Sequence, residues 1–193
     1  MSIGIVSYGA GNVASVQNAL DRLGVKSFIS DDKKALQKAD KLIFPGVGHA
    51  THAMENLSLR GLDQFIKDFK RPVLGICLGM QLLGMESEEG PTTGLGLFDF
   101  QVKQFKISEK IPHMGWNTVE FIDNPLFLGI PQNSYFYFVH GYYAELGSVT
   151  MAKTVYEIPF TTSAKKDNFF GVQFHPEKSG ETGSRLLQNF INL

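Results

Sequence analysis

Short apolar runs alternate with segments of helical period through the first half of the chain. Residues 3–7 read as a buried strand that runs into Tyr8-Gly9-Ala10-Gly11-Asn12, where two glycines permit a tight turn. Val13, Val16, Gln17, Leu20 and Leu23 then keep a helical spacing until Gly24 stops it. Residues 27–29 and 42–44 read as a second and third strand, the latter ending at Pro45-Gly46. Between 52 and 69, Met54, Leu57, Leu62, Phe65, Ile66 and Phe69 recur at helical spacing, Gly61 marks a break or a junction of two helices, and Arg71-Pro72 closes the segment. Residues 73–76 are apolar on both alternations, as in a strand covered on both faces. Met80, Leu82 and Leu83 open a helix directly after Cys77.

The second half changes character. Residues 97–122 read as strands and turns, with Val102 and Phe105 and then a turn at Gly115-Trp116-Asn117. Pro131 precedes an aromatic run at 135–139; strands at 150–156 and 168–174 follow, and a helix over 182–191 carries Leu186, Leu187 and Phe190 on one side. The pattern predicts an α/β fold with an added antiparallel portion. With no internal repeat, low-complexity tract or linker, 1–193 is expected to form one domain, long enough to close a core without staples.

A single cysteine excludes an internal disulfide. Eighteen Lys+Arg against nineteen Asp+Glu give a net charge of -1, with signs mixed along the chain, so nucleic acid and anionic membrane are not expected partners. No segment approaches the roughly 18 uninterrupted apolar residues of a spanning helix, and the expectation is a cytoplasmic protein. His49, His52, His113 and His140 show no metal-ligand spacing, and neither glycine-rich turn has the register of a phosphate loop, so no metal and no cofactor are expected.

Gly75-Ile76-Cys77-Leu78-Gly79 sets the cysteine between a buried strand and a helix, with glycines two positions either side. A nucleophile elbow needs this arrangement, because a Cβ at the flanking positions would crowd neighbouring backbone, and the helix N-terminus favours a thiolate. The Leu78 N–H is a natural oxyanion donor, and Pro45-Gly46-Val47-Gly48 could supply a second from backbone. By itself the motif fits a small buried hydrophobe equally well. Near the C-terminus His175-Pro176-Glu177 follows a strand, and parallel strands deliver their C-terminal ends to one crevice. A rigid proline between them lets Glu177 accept one ring N–H of His175 and turn the other nitrogen toward sulfur. Each of these two residues could separately be an ordinary surface group; with an elbow cysteine they complete nucleophile, base and orienter.

These motifs, together with Ala53-Met54-Glu55-Asn56-Leu57, Gly94-Leu95-Gly96-Leu97, Pro112-His113-Met114-Gly115-Trp116-Asn117 and Phe138-Val139-His140, run almost from end to end. The chain resembles the class I glutamine amidotransferases, and within them the glutaminase subunits of imidazole glycerol phosphate synthase. The resemblance implies a three-layer, flavodoxin-like fold with a mostly parallel central sheet. It implies that Cys77 attacks the side-chain amide of L-glutamine, that His175 protonates the departing ammonia, and that water cleaves the resulting thioester. It sets Gly46, Gln81 and Glu89 against the substrate, the Glu89 carboxylate suiting its α-ammonium, with Val47 and Leu78 as backbone oxyanion donors. It implies a heterodimer with a (β/α)8-barrel cyclase that receives the ammonia, weak activity without that partner, and a contact surface including Asn12, Trp116, Tyr142 and Lys178. Trp116, in an expected turn, is an interface anchor or a core residue on its own showing.

Two positions depart from the family pattern. Gly141 stands where a Ser or Thr usually follows the histidine of the Phe-Val-His motif, and Phe98-Asp99-Phe100 replaces Ile-Pro-Gly in what is expected to be a peripheral turn. Rival readings are a different class I glutaminase and a non-catalytic regulatory partner that keeps the fold. The complete Cys77, His175 and Glu177 set argues against the second.

Overall fold

A computed structural model describes residues 1–9 and 11–193; Ala10, part of the segment 8–12 expected from the sequence to turn, lies outside the described residues. The alternation of strands and helices expected at the start becomes β1 (Ile3–Val6), α1 (Val13–Arg22), β2 (Ser27–Ser30), α2 (Lys33–Leu36), β3 (Lys41–Gly46), α3 (Ala50–Arg60), α4 (Leu62–Asp68), β4 (Val73–Cys77) and α5 (Leu78–Leu82). Asn12 caps α1 by accepting the Ser15 N–H at 3.2 Å. Gly61 takes φ 61° and joins α3 to α4, so the break is a junction of two helices. The short α2 was not expected; Asp32 starts it by accepting the Lys34 N–H at 2.9 Å.

The remainder comprises β5 (Glu86–Ser87), β6 (Thr92–Thr93), β7 (Gln101–Gln104), β8 (His113–Phe121), β9 (Ser134–His140), β10 (Tyr142–Ala144), β11 (Thr150–Tyr156), β12 (Ile158–Lys166), β13 (Phe169–Val172) and α6 (Gly180–Asn192). Strands β2, β1, β3, β4 and β13 lie side by side and parallel. β12 pairs antiparallel with β13 and carries the sheet into the antiparallel part, where β11 leads to β8 and β8 to β9. Every residue of β1, β3 and β4 is buried, which explains their unbroken apolar runs. Ile5, Ile43, Leu74 and Ile76 pack with α1 and α6, whereas Val6, Leu42, Phe44 and Val73 pack with α2, α3 and α4. Each fully buried Leu or Ile in these two layers contributes about 1.5–3 kcal/mol relative to exposure. The parallel part is thus a helix–sheet–helix sandwich whose strands end on one edge, and Gly46 and Cys77 sit opposite each other there.

Two expectations are corrected. Residues 115–117 are not a turn: they lie inside β8, paired with Tyr137 and its neighbours on β9. Phe98 and Phe100 do not form a peripheral segment. Both rings are buried, 5.5 Å apart, and close one of the two cores over Gly84 and Gly171. Among the described residues no helix is long and apolar enough to cross a membrane.

Candidate active site

The chain turns sharply where β4 meets α5, and Cys77 occupies the turn with φ 55° and ψ −113°. A non-glycine residue in such a conformation costs about 1–3 kcal/mol, so the surroundings must hold it. They do so through glycines. A Cβ at Gly79 would stand 1.9 Å from the Phe44 carbonyl oxygen, one at Gly75 2.8 Å from the Met80 nitrogen, and one at Gly46 2.8 Å from the Gly79 nitrogen. Backbone therefore approaches backbone on both sides of the sulfur. Cys77 is 6% exposed and opens into a cavity of about 210 Å³, lined also by Val47, Gln81, Glu89, Gly141 and Tyr142. A wider cleft of about 750 Å³ runs beside α6 between Arg22 and Arg185; it reaches Glu177 but not Cys77, and lacks the elbow's chemistry.

His175 follows β13, the parallel neighbour of β4, and its N–H is held by the Tyr137 carbonyl at 2.9 Å. Its Nδ1 lies 2.8 Å from Glu177 Oε1, with both side chains 2% exposed. Burial disfavours the charged ring, but the Cys77 sulfur and the Glu177 carboxylate outweigh it and push the His175 pKa up to about 10. Nε2 is buried without a hydrogen-bond partner. The ring lies close enough to the sulfur for Cys77 to be the strongest influence raising its pKa. The sulfur's own contacts are the Val139 carbonyl at 3.8 Å and the Gln173 amide at 3.6 Å.

Behind the cavity lies a polar network that sequence reading missed. Gln81 Nε2 donates to the Tyr142 carbonyl at 2.9 Å and to Gln173 Oε1 at 2.8 Å. The same carbonyl lies 2.7 Å from His140 Nδ1, and His140 Nε2 lies 3.0 Å from His113 Nδ1. Burial lowers the pKa of His113 to about 4; burial, against the opposing pull of the Tyr142 carbonyl and with help from the His175 charge, lowers that of His140 to about 3, so both rings are neutral near pH 7. Gln173 stood in the sequence two positions before His175, but buried amides leave no periodic signal. Tyr8, also buried, donates its hydroxyl to the Pro45 carbonyl at 3.0 Å and so ties the N-terminal turn to the end of β3.

Cys77, Val47, Leu78, Gln81, Glu89 and Tyr142 thus gather around one cavity; Gly46 pairs with Cys77 in the β3–β4 register, and His175, held by Glu177, feels the charge of the sulfur. Glu89 also accepts the Ala50 N–H at 2.9 Å, which places its carboxylate at the start of α3. A Cβ at Gly141 would meet only the Ile111 side chain, at 3.7 Å, so the absent hydroxyl leaves open space on the cavity wall. Asn12, Trp116 and Lys178 lie away from the cavity; Trp116 is 55% exposed, which excludes a core role, and Lys178 Nζ sits 5.9 Å over the Tyr137 ring.

Comparison with known proteins agrees with this picture. The family described as "Glutamine amidotransferase class-I" matches residues 5–193. The chain is 50% identical to imidazole glycerol phosphate synthase subunit HisH of Bacteroides fragilis (strain YCH46), covering all of both chains. It is 45% identical to the subunit of that name from Vibrio cholerae, over 98% of this chain and 97% of the relative. Among solved structures, a glutamine amidotransferase superposes with a TM-score of 0.78 at 19% identity, over 98% of this chain and 97% of the other. PurLQS from Thermotoga maritima superposes with a TM-score of 0.75 at 20% identity, over 99% and 97% respectively. At such identities the structural likeness speaks for the fold.

Proposed function

The chain belongs to the class-I glutamine amidotransferases, in the family of imidazole glycerol phosphate synthase subunit HisH, and from that premise we propose that it releases ammonia from L-glutamine through a thioester on Cys77. The observation that carries this reading is the positive-φ cysteine at the β4–α5 turn beside an imidazole held by Glu177.

In the proposed sequence the Cys77 thiolate attacks the side-chain amide carbon of glutamine, and the amide π pair moves onto oxygen. The Leu78 and Val47 N–H groups would meet that oxyanion, which needs donors aimed at developing charge rather than at the ground-state carbonyl. The intermediate collapses, the carbon–nitrogen bond breaks, and the His175 imidazolium delivers its Nε2 proton to the leaving nitrogen. A raised His175 pKa suits that acid role at neutral pH. Water then attacks the γ-glutamyl thioester; His175 takes its proton and the thiolate leaves, giving glutamate and restoring the starting state. Glu177 keeps the ring in one orientation throughout. Glu89, on the cavity wall, supplies the negative charge that suits the substrate's α-ammonium.

The ammonia is delivered to a (β/α)8-barrel cyclase that makes imidazole glycerol phosphate and aminoimidazole carboxamide ribotide in histidine biosynthesis. The outward face of the β8–β9 pair suits the contact: Met114, Trp116 and Tyr135 are 62, 55 and 59% exposed, and Val139 continues this face into the cavity. Asn12, Tyr142 and Lys178 complete the proposed surface. The test is glutamate formation with and without the cyclase and its nucleotide ligand. Stimulation of at least tenfold is expected; none would favour a different ammonia acceptor.

A further inference from the structure

The network behind the cavity fixes the direction of two amides. The Tyr142 carbonyl can only accept, so the Gln81 atom 2.9 Å from it is Nε2. That same nitrogen lies 2.8 Å from Gln173, which must answer with Oε1, and this turns the Gln173 nitrogen toward the Cys77 sulfur at 3.6 Å. His140, neutral, donates Nδ1–H to the Tyr142 carbonyl as well and anchors the reference point from the other side. Both N–H groups of Gln81 are consequently spent inside the protein. What Gln81 can offer the cavity it lines is its carbonyl oxygen, an acceptor.

We propose that Gln173, fully buried and not itself on the cavity wall, is a positioning residue that makes the site selective for an amide: together with the Tyr142 carbonyl it holds Gln81 Nε2 and so commits Gln81 Oε1 to receive an N–H of the scissile group. The glutamine side chain carries such a donor. A γ-ester carries none, and the γ-carboxylate of the product glutamate presents only oxygens to Oε1, so the same orientation that admits substrate repels product. The assignment rests on the proposed glutaminase reading; Gln173 acts on the substrate only through Gln81, while its own Nε2 lies 3.6 Å from the Cys77 sulfur.

The test uses the full chain with the cyclase and its nucleotide ligand, following glutamate formation from L-glutamine and from L-glutamate γ-methyl ester. These share one acyl group and differ in the donor. For the unmutated protein the KM for the ester should exceed that for glutamine by about fivefold or more, the worth of one buried hydrogen bond. Gln173→Leu leaves Gln81 Nε2 held by the Tyr142 carbonyl alone, so Gln81 is less firmly oriented and the KM for glutamine should rise roughly 3–10-fold while that for the ester moves less than about twofold. Gln173→Glu keeps an acceptor for Gln81 Nε2 but removes the donor from the sulfur, and should preserve the KM ratio while lowering kcat on both substrates. Parallel changes in both KM values on Gln173→Leu, as a merely structural role would give, overturn the assignment. So do unmutated KM values within about twofold of each other, a comparison that stands even if neither variant folds. No hydrolysis of either substrate by the unmutated complex would instead overturn the glutaminase reading, and this assignment with it.

Discussion

At the scale of single residues, the site depends on groups whose charge is set by burial. His113 and His140 are held neutral, with pKa values lowered to about 4 and about 3, whereas His175 is lifted to about 10. An unfolded chain titrates all three near 6.5. As pH falls below about 6.5, the unfolded chain binds protons that the folded His113 and His140 refuse, so their contribution to stability is present above that pH and is lost toward pH 4. His175 acts in the opposite sense: the folded state holds its proton more tightly, so its contribution is complete below about 6.5 and fades as pH climbs through 10. Melting temperature should therefore peak near neutrality and fall on both sides, and His113→Gln should flatten the acid limb. A profile level from pH 6.5 to 4 would contradict neutral buried rings. Of these residues only His175 was legible in the sequence as chemistry, because its strand-end position and the following Pro176-Glu177 form a local motif. His140 and Gln173 matter through partners remote in the chain, the Gln81–Gln173 pair being 92 positions apart, and no local pattern reports that.

At the scale of elements, the parallel strands were readable because both of their faces are buried, which leaves short unbroken apolar runs. β12 was not, since its centre is Thr161-Thr162-Ser163, buried yet polar, with the Thr161 hydroxyl satisfied by the Glu145 carbonyl at 2.7 Å. The segment around Gly115 reads as a turn from composition, but β9 pairs with it residue for residue and overrides the glycine's local preference. That correction sharpens the expectation for Trp116. On β8 its ring stands outward, 6.0 Å from the Tyr137 ring and clear of the core. Trp116→Ala should leave the melting temperature within a few degrees of the unmutated value and weaken cyclase binding by about 2 kcal/mol or more, measured by titration calorimetry. Lost folding, or unchanged affinity, would remove Trp116 from the contact.

Across the whole molecule, the arrangement of strands converts distant sequence positions into one site. β3, β4 and β13 are consecutive and parallel, so Gly46, Cys77 and the residues leading to His175 emerge along one edge of the sheet. The open-sheet rule made this meeting point predictable once the strands were recognised. The antiparallel extension was less legible, yet it supplies Val139, His140 and Tyr142, and with them the far wall of the cavity. The most direct test of the account is whether carbon from glutamine becomes bound to that one sulfur. The complex turning over L-glutamine should be quenched in acid, digested and examined by mass spectrometry. The peptide containing Cys77 is predicted to carry a γ-glutamyl group, and Cys77→Ala should lose both the adduct and ammonia release. Ammonia release that persists in Cys77→Ala, or an adduct on any other residue, would contradict it.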